Sequence, residues 1–212
     1  MASKHKSSFA LSIANLTETC SDKSKVEILV KIDIQSDIEY YEDILKKYHF
    51  KHEVIYSPVT GYLNIGDFHN DLALRSKGEI IWMLTDDFFV KHGDWVAALH
   101  ETRNVYPDNI YAVYVPFHAP KWFSLAPALS REWVQCLGYF TYGFQADYWV
   151  AMIARDVVDR YIHIPADKLV MRHVRTDPIV DKKTVKKLHV RIREQQPIVG
   201  SKLRNCMKGT LN

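Results

Sequence analysis

Five apolar residues, Ile80-Ile81-Trp82-Met83-Leu84, run straight into Thr85-Asp86-Asp87. Two carboxylates at the end of one buried-type strand repel each other. That repulsion is relieved when a divalent cation sits between them and a phosphate group. In α/β proteins strand ends are also where ligands bind. The competing reading is an acidic pair that only opens a turn. A second carboxylate, Asp33, ends the β-rich run Val26 to Ile32 and is followed by Ser36 and Asp37, so an Asx-turn is its simplest role. Asp147 follows Gly143 and Phe144 and precedes a helical pattern, where a carboxylate is a good N-cap. His173 closes the short apolar run Leu169-Val170-Met171. A lone histidine is seldom a metal ligand, although neutral imidazole suits Mn²⁺ beside carboxylates.

The elements that must hold these residues follow from periodicity. Phe9, Ile13 and Leu16 are spaced for a helix over residues 9–19. Val26 to Ile32 reads as a strand, Ile38 to Tyr48 as a helix, and Val54 to Tyr56 as a short strand closed by Ser57-Pro58. A glycine-containing loop and a helix span Tyr62 to Arg75, before the strand Ile80 to Leu84. Trp95 to Thr102 is helical, Ile110 to Val115 a strand, and Arg131 to Leu137 a short helix or strand. Gln145 to Val158 is helical, Leu169 to Met171 a strand, and Val180 to Glu194 a basic helix. Strands alternating with helices predict an α/β fold with a mostly parallel central sheet flanked by helices.

Asn70, Ala73, Lys77-Gly78-Glu79, the apolar strand and Asp86-Asp87 together resemble the core signature of GT-A fold nucleotide-sugar glycosyltransferases, particularly those similar to family 2. The resemblance covers roughly residues 9–187 and is most specific over Asn70 to Asp87. It implies a single GT-A (Rossmann-like) domain over residues 1–212. About 1–105 would form the nucleotide-binding half and about 106–212 the acceptor-binding half. It implies that the acidic pair is a DXD-type motif holding Mn²⁺ or Mg²⁺ against the donor diphosphate. Thr85-Asp86-Asp87 departs from a full Asp-X-Asp, and Asp87 is the favoured metal ligand, with Asp86 and Asn70 at the donor. By the same resemblance Asp33 contacts the nucleoside, His173 is a further metal ligand, and Asp147 is the base that deprotonates the acceptor hydroxyl. Arg172 and Arg175, with Lys182, Lys183, Lys186 and Lys187, flank His173 and are expected to cover the diphosphate. The family also opens with an apolar strand; here Lys4-His5-Lys6 already resembles the loop that follows it, so the first strand is expected to be truncated.

Composition narrows the partners. The 212 residues suffice for one domain with a substantial core. No apolar run approaches the ~20 residues of a membrane span. The amino-terminal stretch is a poor signal peptide, and the expectation is a soluble, cytoplasmic protein. Cys20, Cys136 and Cys206 are odd in number and widely spaced, which supports neither a zinc site nor a disulfide framework. The net charge of +3 divides unevenly: residues 1–154 carry 14 Lys/Arg against 19 Asp/Glu, and residues 155–212 carry 14 against 6. A basic carboxy-terminal segment suits an anionic partner, or is simply a solvated helix. The leading expectation is a metal-dependent hexosyltransferase that takes a UDP-sugar donor and a glycan or glycoconjugate acceptor. A sugar-nucleotidyltransferase needs a Gly-rich, basic loop after its first strand, and the chain has none. A nucleic-acid-binding module is weaker still, because no such motif occurs.

Overall fold

A computed structural model describes residues 1, 5–59, 61–118, 121–174 and 181–209. Strand β1 (Glu27–Ile32) pairs in parallel with β2 (Lys51–Tyr56), with Val30 opposite Val54. A four-stranded sheet runs in the order β3 (Ile80–Trp82), β6 (Ala128–Ser130), β5 (Ala112–Tyr114), β7 (Tyr161–His163). The third pair is β4 (Phe88–Gly93) against β8 (Leu169–His173). The α/β architecture stands, but the pairing is mixed. β1–β2 and β5–β7 are parallel, whereas β3–β6, β5–β6 and β4–β8 are antiparallel.

Helix α1 (Lys6–Glu18) buries Phe9, Ser12, Ile13 and Leu16, the stripe its spacing demands. It is bolted to β4 by polar groups that would otherwise be stranded in the core. Ser12 Oγ donates to the Phe88 carbonyl at 3.1 Å. Asn15 donates through Nδ2 to the Val90 carbonyl at 3.0 Å and accepts from the Val90 amide at 2.7 Å. Trp95 Nε1 donates to the Leu16 carbonyl at 2.9 Å. Helix α2 (Ile38–Lys47) covers the same apolar cluster with Tyr41 and Leu45.

A second apolar cluster gathers Trp133, Leu137, Phe140, Trp149 and Ile153. It is built by α3 (Ile65–Arg75), α5 (Arg131–Leu137) and α6 (Ala146–Ala151), the last running into a π-turn over Met152–Val157. The long α7 (Lys182–Met207) closes this cluster with Leu188, Ile192, Val199 and Leu203. Helix α4 (Trp95–His100) belongs to the first cluster. Cys136 and Cys206 form a disulfide with Cα atoms 6.2 Å apart, correcting the expectation of unpaired cysteines. Spacing along the chain does not show that α7 returns to α5.

Met1 stands beside β1. Its nitrogen donates to the Leu29 carbonyl, and its carbonyl accepts from the Lys31 amide at 3.0 Å. No helix among the described residues is long and apolar enough to cross a membrane.

Candidate active site

The apolar strand ends where the sequence places its acidic pair, and the two carboxylates then part. Asp86 is buried, and its Oδ2 accepts the His5 amide at 2.9 Å. Asp87 turns the other way: its Oδ2 meets His173 Nε2 at 3.0 Å, and its Oδ1 accepts the Thr85 hydroxyl. The antiparallel register of β4 and β8 creates this meeting, because Phe88 lies opposite His173. The Phe88 ring packs edge-on to the imidazole at 4.9 Å and limits its orientation. Burial works to raise the Asp87 pKa, but hydrogen bonds from His173 and Thr85 outweigh it and hold the carboxyl below its ordinary value. Asp87 is therefore an anion at neutral pH, with imidazole nitrogen beside it.

Asp147 stands in the first turn of α6, half-buried at the surface of the second cluster. The dense protein around it removes water from the carboxyl, and this desolvation pushes its pKa up to about 6. The Tyr148 amide, which donates to Asp147 Oδ1 at 2.8 Å, and the charges of Lys121 and His173 work in the opposite direction. The charge of His173 acts on both Asp87 and Asp147. Aromatic rings extend the wall beyond Asp147. Tyr148 stacks on His189 at 4.1 Å, Trp122 meets Tyr148 edge-on at 5.4 Å, and Arg155 lies 4.4 Å over Trp122. His189 is fixed by its 2.6 Å contact with Gln145 Oε1. Of the aromatic residues dense in this stretch, Phe140 and Trp149 are core, while Trp122 is 42% exposed.

The remaining residues singled out in the sequence divide. Asp33 ends β1 in an ion pair with Lys31. The Lys31 ammonium also donates to the Val59 carbonyl at 2.6 Å and sits 3.5 Å over the Phe68 ring, so Asp33 belongs to a built corner rather than a free turn. Asn70 is spent on backbone: Oδ1 accepts the Phe140 and Thr141 amides, both at 2.8 Å, and Nδ2 donates to the Thr141 carbonyl at 3.0 Å. It positions the loop leading to Asp147. Strand alternation sends Arg172 to the face opposite His173, where its guanidinium lies 5.9 Å over Phe89 and borders a groove with Leu11 and Glu18 of α1. Arg175 lies outside the described residues. Thr85, Lys121 and Gln145 were not anticipated. Only Thr85 had a signal, its place directly before the acidic pair.

A carboxylate oxygen and an imidazole nitrogen 3.0 Å apart are a donor set that fits Mn²⁺ or Mg²⁺ and leaves further positions for phosphate oxygens and water. Among the described residues no group of three or more metal-ligating side chains occurs.

Solved structures of similar shape share this arrangement of elements. A mannosyltransferase from Pyrobaculum calidifontis, solved in complex with GDP-mannose and Mn²⁺, superposes with a TM-score of 0.56 at 14% identity. The match covers 94% of this chain and 61% of that one. Staphylococcus aureus TarS, residues 1–349, in complex with UDP-GlcNAc, superposes with a TM-score of 0.67 at 12% identity, over 100% of this chain and 70% of that one. The fold is GT-A. The chain thus spans about three-fifths of the length of the mannosyltransferase. No family model matches the sequence, and no curated protein does.

Proposed function

We propose that this GT-A domain is a metal-dependent glycosyltransferase that moves a hexosyl group from a UDP-sugar to a hydroxyl of a glycan or glycoconjugate. The observation that carries the proposal is the Asp87–His173 pair at a strand end. The two solved structures bound to nucleotide-sugars, one with Mn²⁺, support the donor class.

Asp87 Oδ2 and His173 Nε2 would hold Mn²⁺ or Mg²⁺, whose charge, when bound, offsets the negative charge growing on the leaving diphosphate. Thr85 and Phe88 keep the two ligands in place. Asp33 at the end of β1 is offered to nucleoside hydroxyl or N–H groups. Asp147 accepts the proton of the acceptor hydroxyl as that oxygen attacks C1, and the bond from C1 to the diphosphate breaks. With a pKa of about 6 it is mostly ionised at neutral pH yet more basic than an ordinary aspartate. The exposed face of Trp122 offers an apolar surface to an acceptor ring. A single displacement of this kind inverts the configuration at C1.

Thermal unfolding with nucleotides tests the reading. UDP with Mn²⁺ is expected to raise Tm, by mass action on the folded state, and UDP in EDTA to leave it unchanged. Equal stabilisation in EDTA removes the metal from the reading. A shift with GDP and none with UDP changes the donor class.

A further inference from the structure

Helix α6 begins without the side-chain cap that commonly fixes a helix start. Gln145 occupies the N-cap position, and its side chain makes no hydrogen bond to the first turn. The turn that carries Asp147 is therefore placed from outside the helix. Up to Gly143 the preceding loop has its own fastenings. Asn70 bonds the backbone of residues 140 and 141, and Gly66 lies against the Gly143 carbonyl. Beyond Gly143 the imidazole of His189 takes over.

His189 Nε2 stands 2.6 Å from Gln145 Oε1. An amide oxygen only accepts, so Nε2 carries the hydrogen and donates it. The same ring lies flat on Tyr148, with 4.1 Å between centroids and 13° between planes. One imidazole thus grips the residue two before Asp147 and the residue after it. Tyr148 is tied to Asp147 directly, because its amide donates to Asp147 Oδ1 at 2.8 Å. Its ring also meets Trp122 and Phe123 edge-on, at 5.4 and 6.3 Å. Packing alone does not call for a histidine here, since an apolar ring would fill the place without the cost of drawing a polar one from water. Burial, and after it the charge of Arg193, holds the imidazole below its ordinary pKa, so the ring is neutral at pH 7. A neutral ring secures the turn without adding a positive charge that would weaken Asp147 as a base.

We propose, resting on the reading of Asp147 as the base, that His189 is the residue that positions it. Through Gln145 and Tyr148 it sets where the carboxylate meets the attacking hydroxyl, and through the Tyr148 ring it sets the Trp122 wall against which the acceptor lies. It is a positioning residue, since it reaches the reacting atoms only through its neighbours. Asp87, directly before β4, and His173, at the end of β8, take no part in these contacts. Loss of His189 is therefore expected to fall on turnover and to spare the donor.

Release of UDP from UDP-GlcNAc with Mn²⁺, water serving as the acceptor, reads the base without a glycan. Titration of UDP with Mn²⁺ reads the donor site separately. His189→Ala is expected to lower kcat by about 10²-fold, the scale of a misplaced catalytic group, with UDP affinity unchanged. His189→Gln, whose side-chain amide donates from nearly the same point as Nε2, is expected to recover most of the loss. His189→Phe, which keeps the stack and lacks the donor, is not. Gln145→Ala should lose turnover in the same way, and the double variant should be no slower than His189→Ala, because both remove one contact. Full recovery in His189→Phe, or additive losses in the double variant, overturns the proposal in favour of packing. So does an equal fall in kcat and UDP affinity. Asp147→Asn, run beside them, separates the two readings. If it is inactive while His189→Ala turns over at the native rate, the role of His189 alone is overturned. If it turns over at the native rate, the base is lost and this role with it.

Discussion

The carboxyl of Asp147 titrates near 6 because burial strips it of water that its neighbours only partly replace. Two consequences follow, of opposite sign. As a base it works when ionised, so kcat/KM is expected to rise with pH through about 6, and Asp147→Asn should lose transfer by ~10²–10⁴-fold while still binding UDP with Mn²⁺. For stability, the raised pKa favours the protonated fold. That contribution is present in full below the unfolded value near 3.8 and is lost as pH rises through about 6. Asp147→Asn should therefore unfold later than the native chain at pH 7, by about 1–3 kcal/mol, and lose that advantage at pH 4. A pH–rate profile together with melts at both pH values checks the pair. Wild-type transfer by the mutant would return the base to another carboxylate. Asp87 behaves differently. Its pKa is depressed, so its contribution exists above the unfolded value and disappears as pH falls through the folded one. Mutual repulsion of Asp86 and Asp87, taken alone, would make Asp87→Ala free of cost. Separate satisfaction of each, by His5 and by Thr85 and His173, predicts a loss of about 1 kcal/mol in urea unfolding at pH 7, with transfer abolished.

At the scale of elements, two glycines set how closely α3 approaches the loop before α6. A Cβ on Gly66 would stand 2.2 Å from the Gly143 carbonyl oxygen, and Gly143 itself has φ +79°. The obstruction is backbone, which cannot swing aside as a long side chain can. Gly66→Ala is expected to destabilise the fold by roughly 1–3 kcal/mol and to lower kcat more than donor affinity, because the displaced loop carries Asp147 and not Asp87. Donor titrations alongside turnover separate these effects; an equal loss of both would mean that the whole site had shifted. This packing also shows where sequence reading stops. The apolar run into Asp86-Asp87 and the stripes of α1 and α2 are visible because periodicity records burial directly. The strands β4, β6 and β7 are not, since Phe88 to Gly93 follows a charged turn and the other two, unlike the equally short β3 and β5, do not sit inside a longer unbroken apolar run. Without β4, periodicity alone does not put His173 beside Asp87, which only the resemblance implied, or turn Arg172 away. Likewise Asn70 is prominent in the sequence, but its three bonds to the backbone of residues 140 and 141 belong to tertiary structure.

At the scale of the molecule, α7 is the strap over the second apolar cluster, fastened at two distant points. Near its start, Leu188 packs beneath Gly143 and His189 holds Gln145, two residues before Asp147. Near its end, Cys206 is joined to Cys136 of α5 across a sequence separation of 70. That long separation hid the pair from any reading of cysteine spacing, and it also makes the bridge effective, since a cross-link over a long loop removes much freedom from the unfolded chain. Cys136→Ser, or reduction of the native chain, is expected to cost roughly 2–4 kcal/mol and to lower Tm by about 5–15 °C. The effect on catalysis should be far smaller. At 1.5 Å per residue, the 17 positions from His189 to Cys206 put the disulfide about 26 Å from the end of α7 that supports the Asp147 loop. Below its own melting temperature the reduced protein should therefore keep both its turnover and the rise in activity through pH 6. Melting curves and pH–rate profiles, each with and without dithiothreitol, check this separation. A reduced protein that melts lower but keeps the profile matches a strap with two independent fastenings. A shifted profile at 25 °C would mean that α7 transmits the loss of its far end to Asp147 as a single rigid body.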